Sequence, residues 1–243
     1  MSEKVKFGLI GKNISYSFSK KYFEDKFKNL SLENYSYELF DIDKINDVER
    51  IFDIPNLKGL NVTIPYKEQI IPFLDELSPE AEKIGAINCI SIVNGKKTGY
   101  NTDVFGFEKS LLAQPKCLNN RALILGNGGA VKAVKYVLEK YEIPYTIVSR
   151  KSELNFENID NKLISENKII VQCTPVGTFP NVKDALPFPF EGLSLEHFVI
   201  DLIYNPARTL FLKKAEEKGA KTLNGLLMLE QQAEKAWEIW NLM

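Results

Sequence analysis

From residue 4 to residue 64, short apolar runs alternate with amphipathic stretches, and this alternation restricts the possible folds more than any other feature. VKFGLIG, YSYELFDI and LKGLNVTI have the length and composition of strands, while SKKYFEDKFKNL has the polar–apolar rhythm of a helix. Such alternation describes βαβ units around a mainly parallel sheet. The pattern continues through AINCISIVNGKKTGYNT, where Asn94 and Gly95 between two strand-like runs fit a tight hairpin turn. The antiparallel pair so formed is expected to close the edge of the sheet. A helical segment from Asp103 to about Leu112 then ends before QPKCLNN, whose proline and asparagines mark a connection.

A second alternation follows. RALILG leads into NGGA and the helical VKAVKYVLEKY, and the strand-like PYTIVSR, KIIVQC and HFVIDLIY come after it with helical segments between. With 243 residues, the chain accommodates two α/β lobes. The final stretch, NGLLMLEQQAEKAWEIWNLM, places Leu226, Leu229, Ala233, Ala236, Trp237 and Trp240 at helical spacing. A helix with such a stripe requires a groove, and it is expected to pack back on the first lobe. The domain limits read from the chain are 1–103, completed by 225–243, and 104–224.

Charge excludes several classes of partner. The 31 basic and 32 acidic side chains leave a net charge of -1 without long runs, so there is no electrostatic footprint for nucleic acid. No apolar stretch approaches the ~20 residues that span a bilayer, and MSEKVKFGLIG enters a strand pattern instead of a signal peptide. Cys89, Cys117 and Cys173 lie far apart without metal-ligand spacing. They read as reduced packing residues of a cytoplasmic protein, and no metal is expected.

The strand ending at Gly126 and the helix beginning near Gly129 place backbone N–H groups where a phosphate is favoured. Gly126 and Gly128 permit a tight turn and close approach to a pyrophosphate, although Val131 stands where GxGxxG has a small residue. An ordinary strand-to-helix turn would look similar. At the end of the next strand stand Ser149, Arg150 and Lys151, where an NAD site carries an acidic residue. A guanidinium there can grip a 2′-phosphate with two parallel hydrogen bonds, which favours NADP. Arg150 as a solvated loop cation is the competing description.

In the first lobe, GLNVTIPYKE joins an apolar strand to a run holding Asn61, Thr63 and Lys67, followed by Asn88 in GAINC and Asp103 in YNTD. Polar clusters at the carboxyl ends of strands are where open α/β sheets bind ligands. Ketone reduction needs a proton donor and a group that holds its charge and position, and Lys67 with Asp103 could supply both. Taken alone, each reads first as a surface charge or, for Asp103, a helix N-cap. The single histidine, His197, precedes an apolar strand with no partner motif, which points to a structural role. The serines of SYSFSK have no triad order around them and read as hydroxyl donors for an anion.

Taken together, SYSFS, NVTIPYKE, GAINC, NTD, GNGGA, VSR, CTPVG, DLIYNP and NGLLMLEQQA occur in an order that resembles the shikimate dehydrogenase family. The resemblance runs from the first strand to the last helix. It implies an N-terminal substrate-binding lobe completed by the last helix and a C-terminal Rossmann-like NADP-binding lobe. It also implies reversible NADPH-dependent reduction of 3-dehydroshikimate in aromatic amino acid and chorismate biosynthesis, by a monomer or homodimer.

Residue by residue, the resemblance implies that Ser17 and Ser19 hold the substrate carboxylate, and that Thr63, Asn88, Tyr204 and Gln232 fix its ring and hydroxyls. Lys67 and Asp103 take the catalytic positions. Gly126, Asn127, Gly128, Gly129 and Ala130 meet the pyrophosphate, Ser149, Arg150 and Lys151 the adenosine phosphate, and Leu202 and Gly225 the nicotinamide, with Thr174 and Pro175 along the same path. The chain departs from the family at Tyr16, Lys20, Val131 and Leu227, and Glu153 stands where a second basic residue is often found. A quinate/shikimate dehydrogenase using NAD and a non-catalytic ligand-binding relative are the alternatives.

Overall fold

A computed structural model describes residues 4–15 and 17–241; Tyr16 lies outside the described residues. The contacts divide the chain into two compact units, one built from residues up to Thr102 with those from Ala233 onward, the other from Asp103–Gln232.

In the first unit, β1 (Val5–Gly11) leads through α1 (Phe18–Asn29) to β2 (Tyr35–Asp41), and α2 (Val48–Phe52) leads to β3 (Leu57–Val62). β4 (Glu76–Leu77), α3 (Pro79–Ile84), β5 (Cys89–Val93) and β6 (Lys96–Tyr100) complete it. The sheet order is β2-β1-β3-β5-β6-β4. β1 pairs in parallel with β2 and β3, whereas β5 runs antiparallel to β3 and to β6. Asn94 and Gly95 turn the β5–β6 hairpin with positive φ at both positions, the backbone a tight hairpin of right-handed twist requires. The hairpin does not close the sheet, because Glu76–Leu77 pairs in parallel with Thr98–Gly99 outside β6. A two-residue strand shows no period of its own, so nothing in its residues signals this extra edge.

The second unit opens with α4 (Asp103–Leu112) and continues with β7 (Ala122–Leu125), α5 (Gly129–Lys140), β8 (Tyr145–Val148), α6 (Asn161–Glu166) and β9 (Ile169–Gln172). β10 (Phe198–Asp201), α7 (Leu210–Glu217) and β11 (Lys221–Leu223) follow, and α8 (Leu226–Asn241) ends the chain. The order β11-β10-β9-β7-β8 is parallel throughout. Every residue of β7, β9 and β10 is buried, the signature of strands covered on both faces.

The C-terminal stretch of α8 is part of the first unit's core. Ala233, Ala236, Ile239 and Trp240 pack with Phe7, Phe23, Phe27 and Tyr37. Trp240 stacks on Phe7 with ring centroids 4.8 Å apart, and its indole N–H donates to the Ile90 carbonyl at 3.0 Å. Gly59 makes room for that ring, since a Cβ there would strike the indole. The Lys26 ammonium reaches both Glu234 oxygens at 2.8 and 2.6 Å, and Tyr22 donates to the same carboxylate. Leu226, expected on the apolar stripe, is 36% exposed. It occupies the first turn of α8, where the Asn224 side chain accepts its N–H, and the buried positions begin further along at Met228.

Trp240→Ala should lower the stability of the first unit by about 3–5 kcal/mol, the usual range for emptying a buried aromatic site. Urea unfolding followed by circular dichroism checks this, and a loss below about 1 kcal/mol would mean that the helix end is not anchored by its indole.

Candidate active site

In the first unit, the parallel strands β1 and β3 end on the same side, and the polar residues follow their carboxyl ends. Ser17 caps α1, and its hydroxyl oxygen accepts the Ser19 N–H at 3.2 Å. Thr63 comes directly after β3, with its N–H donating to the Ile10 carbonyl at 2.9 Å. Lys67 lies half-buried in the next turn, where its carbonyl accepts the Ile87 N–H at 2.7 Å. Beneath these groups runs a buried polar chain. Tyr37 donates to Asn61 Oδ1 at 2.7 Å, and Asn61 Nδ2 donates to the Asn88 carbonyl at 3.2 Å. The Asn88 side chain donates to Thr102 Oγ1 at 3.0 Å and accepts the Thr102 N–H at 2.6 Å. Burial pushes the Tyr37 phenol well above its usual range, with a hydrogen bond from the Ser19 hydroxyl acting the other way. Tyr37 is therefore a proton donor with a fixed direction.

In the second unit, Asp103 is the first residue of α4, Tyr204 lies in the exposed turn after β10, and Gln232 is a buried residue of α8 whose amide donates to the Leu229 carbonyl at 2.9 Å. Leu202 and Gly225 adjoin one another: the Gly225 N–H donates to the Ile203 carbonyl at 3.0 Å, and a Cβ on Gly225 would collide with the Leu202 carbonyl. No larger residue fits at 225.

The carboxyl ends of β7, β8 and β9 surround a cavity of about 1260 Å³. Gly126, Asn127, Gly128, Ser149, Arg150, Lys151, Thr174 and Pro175 all line it. Gly126 has φ of 113°, and a Cβ would come within 2.9 Å of the Thr174 methyl group, so glycine is needed there on two counts. Gly128 caps α5, and the helix begins with Gly129 and Ala130. A Cβ on Gly128 or Gly129 would stand in open space, so the start of a three-turn helix has room for a phosphate. Val131, 1% exposed, is accommodated on the buried side of α5. These features fit a dinucleotide: an open helix start, close backbone approach, and cations at the end of β8.

Several residues of this site carry no sequence signal. Ser152 knots the turn after β8, accepting the Ser149 N–H at 2.9 Å and standing 2.6 Å from the Leu154 carbonyl. Asn155, Phe156, Glu157 and the segment Lys183–Pro187 line the same cavity. Of the two glutamates that follow β8, Glu157 and not Glu153 faces it. Gln172 and Asp201, both fully buried, lie side by side in register at the ends of β9 and β10. Gln172 accepts the Thr174 N–H and donates to the Val176 carbonyl at 3.3 Å. Asp201 accepts the Ile203 N–H at 3.0 Å and the Thr209 hydroxyl at 2.6 Å, and Thr209 Oγ1 in turn accepts the Leu212 N–H at 3.2 Å. Hidden inside apolar runs, these two side chains read as strand interior. A polar residue as the last position of a strand is the signal that could have found them. Among the described residues, no group of three or more His, Cys, Asp or Glu side chains is placed to hold a metal ion.

The fold and this cavity define an α/β protein of the dinucleotide-binding class. Residues 9–90 match the model for the shikimate dehydrogenase substrate binding domain. The shikimate dehydrogenase (NADP(+)) of Methanococcus maripaludis is 40% identical over 253 aligned positions, covering 96% of this chain and 90% of that protein. The crystal structure of shikimate dehydrogenase from Aquifex aeolicus superimposes with a TM-score of 0.88 at 33% identity, covering 100% of this chain and 94% of that one. Shikimate 5-dehydrogenase from Thermus thermophilus, in complex with NADP(H) and shikimate, gives 0.86 at 30% identity over 98% and 94%. This chain belongs to the shikimate dehydrogenase family.

Burial pushes the Asp201 carboxyl from its ordinary 3.8 up to about 6, with the Thr209 and Ile203 hydrogen bonds acting the other way. An acid whose folded pKa is raised stabilises the fold when protonated, and that contribution is lost as pH rises through about 6. Relative to Asp201→Asn, the parent should therefore lose about 2 kcal/mol of unfolding free energy between pH 4 and pH 7. Parallel urea titrations measure the difference. A gap that does not change with pH would show that the carboxyl stays ionised throughout.

Proposed function

We propose that this protein is an NADP-dependent shikimate dehydrogenase, which reversibly reduces the ketone of 3-dehydroshikimate to the shikimate alcohol in aromatic amino acid biosynthesis. The observation that carries the reading is the cavity with Ser149, Arg150 and Lys151 at the end of β8, in a chain whose relatives of matching length are named for this activity. Bound NADPH supplies the hydride. The residues of the chain bind, orient and manage the proton.

As the ketone is reduced, its oxygen gains negative charge and needs a cation or a proton within hydrogen-bond reach. Lys67 is assigned that role and Asp103 the role of its catalytic partner. The Ser17 hydroxyl oxygen accepts the Ser19 N–H, and its proton is the donor this reading gives to a carboxylate. Ser19 completes that site by turning its hydroxyl from the Tyr37 oxygen to the carboxylate, and Thr63, Asn88, Tyr204 and Gln232 hold the ring. The buried chain from Tyr37 to Thr102 keeps Asn88 in one orientation and fixes the residue immediately before Asp103. Gly126–Ala130 bind the pyrophosphate, and the packed backbone at Leu202 and Gly225 lines the nicotinamide. In this reading the first unit carries Ser17, Ser19, Thr63, Lys67 and Asn88 for the substrate, and the second unit binds the cofactor. Free thiols at Cys89, Cys117 and Cys173, each with its pKa raised by burial, support a cytoplasmic setting.

Oxidation of shikimate with NADP, followed by absorbance of the reduced cofactor and run beside NAD and quinate, tests the reading directly. Turnover of quinate with NAD but not of shikimate with NADP would overturn it. Lys67→Met should lower kcat by about two to four orders of magnitude, with much smaller changes in substrate affinity. Turnover within about threefold of the parent across the pH range would remove Lys67 from the chemistry.

Arg150→Ala should raise KM for NADP by about ten- to a hundredfold and leave KM for NAD nearly unchanged, the loss expected for a charge-assisted hydrogen bond. Equal effects on both cofactors, measured in the same assay, would place Arg150 away from the 2′-phosphate.

A further inference from the structure

The long connection from β9 to β10 brings a third cation to the cavity. Lys183 lines it together with Arg150 and Lys151, although it lies far from them in the sequence. Lys183 sits in a turn closed by the Asp184 N–H donating to the Asn181 carbonyl at 3.1 Å. That turn is held from two sides. At Gly177, whose φ of 95° calls for glycine, a Cβ would come within 2.9 Å of the Asp184 carbonyl. Leu186 is 7% exposed and belongs to the same core cluster as Val148, the last residue of β8, with Leu154 and Phe156 packed against that cluster. The Lys183 turn is therefore tied by its own hydrophobic anchor to the strand end that carries Arg150.

The charges around the cavity are Arg150, Lys151 and Lys183 against Glu157 and Asp184. Without Lys183, cations and carboxylates would balance, and a dianionic phosphate would meet no net positive charge. Arg150 and Lys151 leave the same turn as sequence neighbours, so they approach from one side. A phosphate monoester has three acceptor oxygens. A guanidinium fork takes two of them, and a point cation arriving on another loop can meet the third.

We infer that Lys183 is a specificity-determining residue, the cation that meets the adenosine 2′-phosphate of NADP opposite Arg150. This rests on the reading of the cavity as the NADP site. Lys183 is exposed, so its contribution is moderate and screened by salt.

Isothermal titration of the whole protein with adenosine 2′,5′-bisphosphate and with adenosine 5′-monophosphate isolates the 2′-phosphate from turnover. Lys183→Gln should weaken bisphosphate binding by about three- to tenfold at low ionic strength, with the monophosphate unchanged and the loss fading at about 0.5 M salt. Lys183→Arg should restore it. Equal weakening of both probes would assign Lys183 to the other phosphates and overturn the inference. So would unchanged bisphosphate binding in Lys183→Gln when Arg150→Ala is weakened. A parent protein that does not prefer the bisphosphate would overturn the NADP reading of the cavity and the inference with it.

Discussion

A parallel sheet covered on both faces leaves its polar backbone groups a single difficulty: where each strand stops, the ladder stops too. In the second unit, β7, β9 and β10 are buried along their whole length, and the chain must turn at their carboxyl ends without a neighbouring strand to bond to. Gln172 and Asp201 resolve this at two adjacent ends. Each is a buried polar side chain that takes the N–H groups of the following turn, Thr174 in one case and Ile203 in the other. The geometry of the cavity wall and of the Leu202–Gly225 contact depends on these two accommodations. Glycine does the corresponding task at β7, where Gly126 turns with positive φ and its N–H donates to the Val148 carbonyl at 2.8 Å.

The first unit meets the same requirement with a network instead of isolated caps. Tyr37, Asn61, Asn88 and Thr102 come from separate segments of the chain; the Tyr37 bond fixes the Asn61 amide, and the Thr102 N–H fixes that of Asn88. Tyr37 has one proton, which goes to Asn61. Asn61 must then present its amide N–H₂ to the Asn88 carbonyl, and the Asn88 side chain is left to the Thr102 hydroxyl and N–H. Buried polar chains of this kind are costly when half satisfied and rigid when complete. Rigidity here is delivered to Asn88, whose side chain is held at both its oxygen and its nitrogen by Thr102.

The sequence was readable wherever one element carried its own signal. The hairpin at Asn94–Gly95, the parallel strands of the second unit and the docking stripe of Ala233, Ala236 and Trp240 all follow from local periodicity or turn chemistry. Glu76–Leu77 was illegible because two residues have no period, and Leu226 was misplaced because a helical stripe does not say where along the helix burial begins. The glycine turn and the Ser149–Lys151 run were visible because each sits on a strand end. The rest of the cavity wall was not. Glu157 and Lys183 reach it only through the packing of Phe156 and Leu186 on the shared core, a non-local fact that spacing cannot encode. Asp201 was missed for the opposite reason, since an acid inside FVIDLIY gives way to the apolar reading of its neighbours.

The sole histidine narrows what the proton chemistry can use. The Ser194 N–H donates to His197 Nδ1 at 3.0 Å, so that nitrogen carries a lone pair. His197 Nε2 stands 3.0 Å from the Ile164 carbonyl, an acceptor, so this nitrogen must carry the proton. The ring is a neutral tautomer engaged at both ends, 1% exposed, with its pKa lowered chiefly by burial. A proton relay needs a ring that can gain a proton on one side and release it on the other, and neither nitrogen of His197 can do so without breaking its bond to the Ser194 turn before β10 or to Ile164 in α6. The thiols do not substitute, because burial raises the pKa of Cys89 and Cys173 far beyond the range in which they would exchange a proton near neutrality. Reduction of a ketone in this chain therefore draws its proton from an amine, a carboxyl group, a phenol or water, and not from the imidazole or the buried thiols.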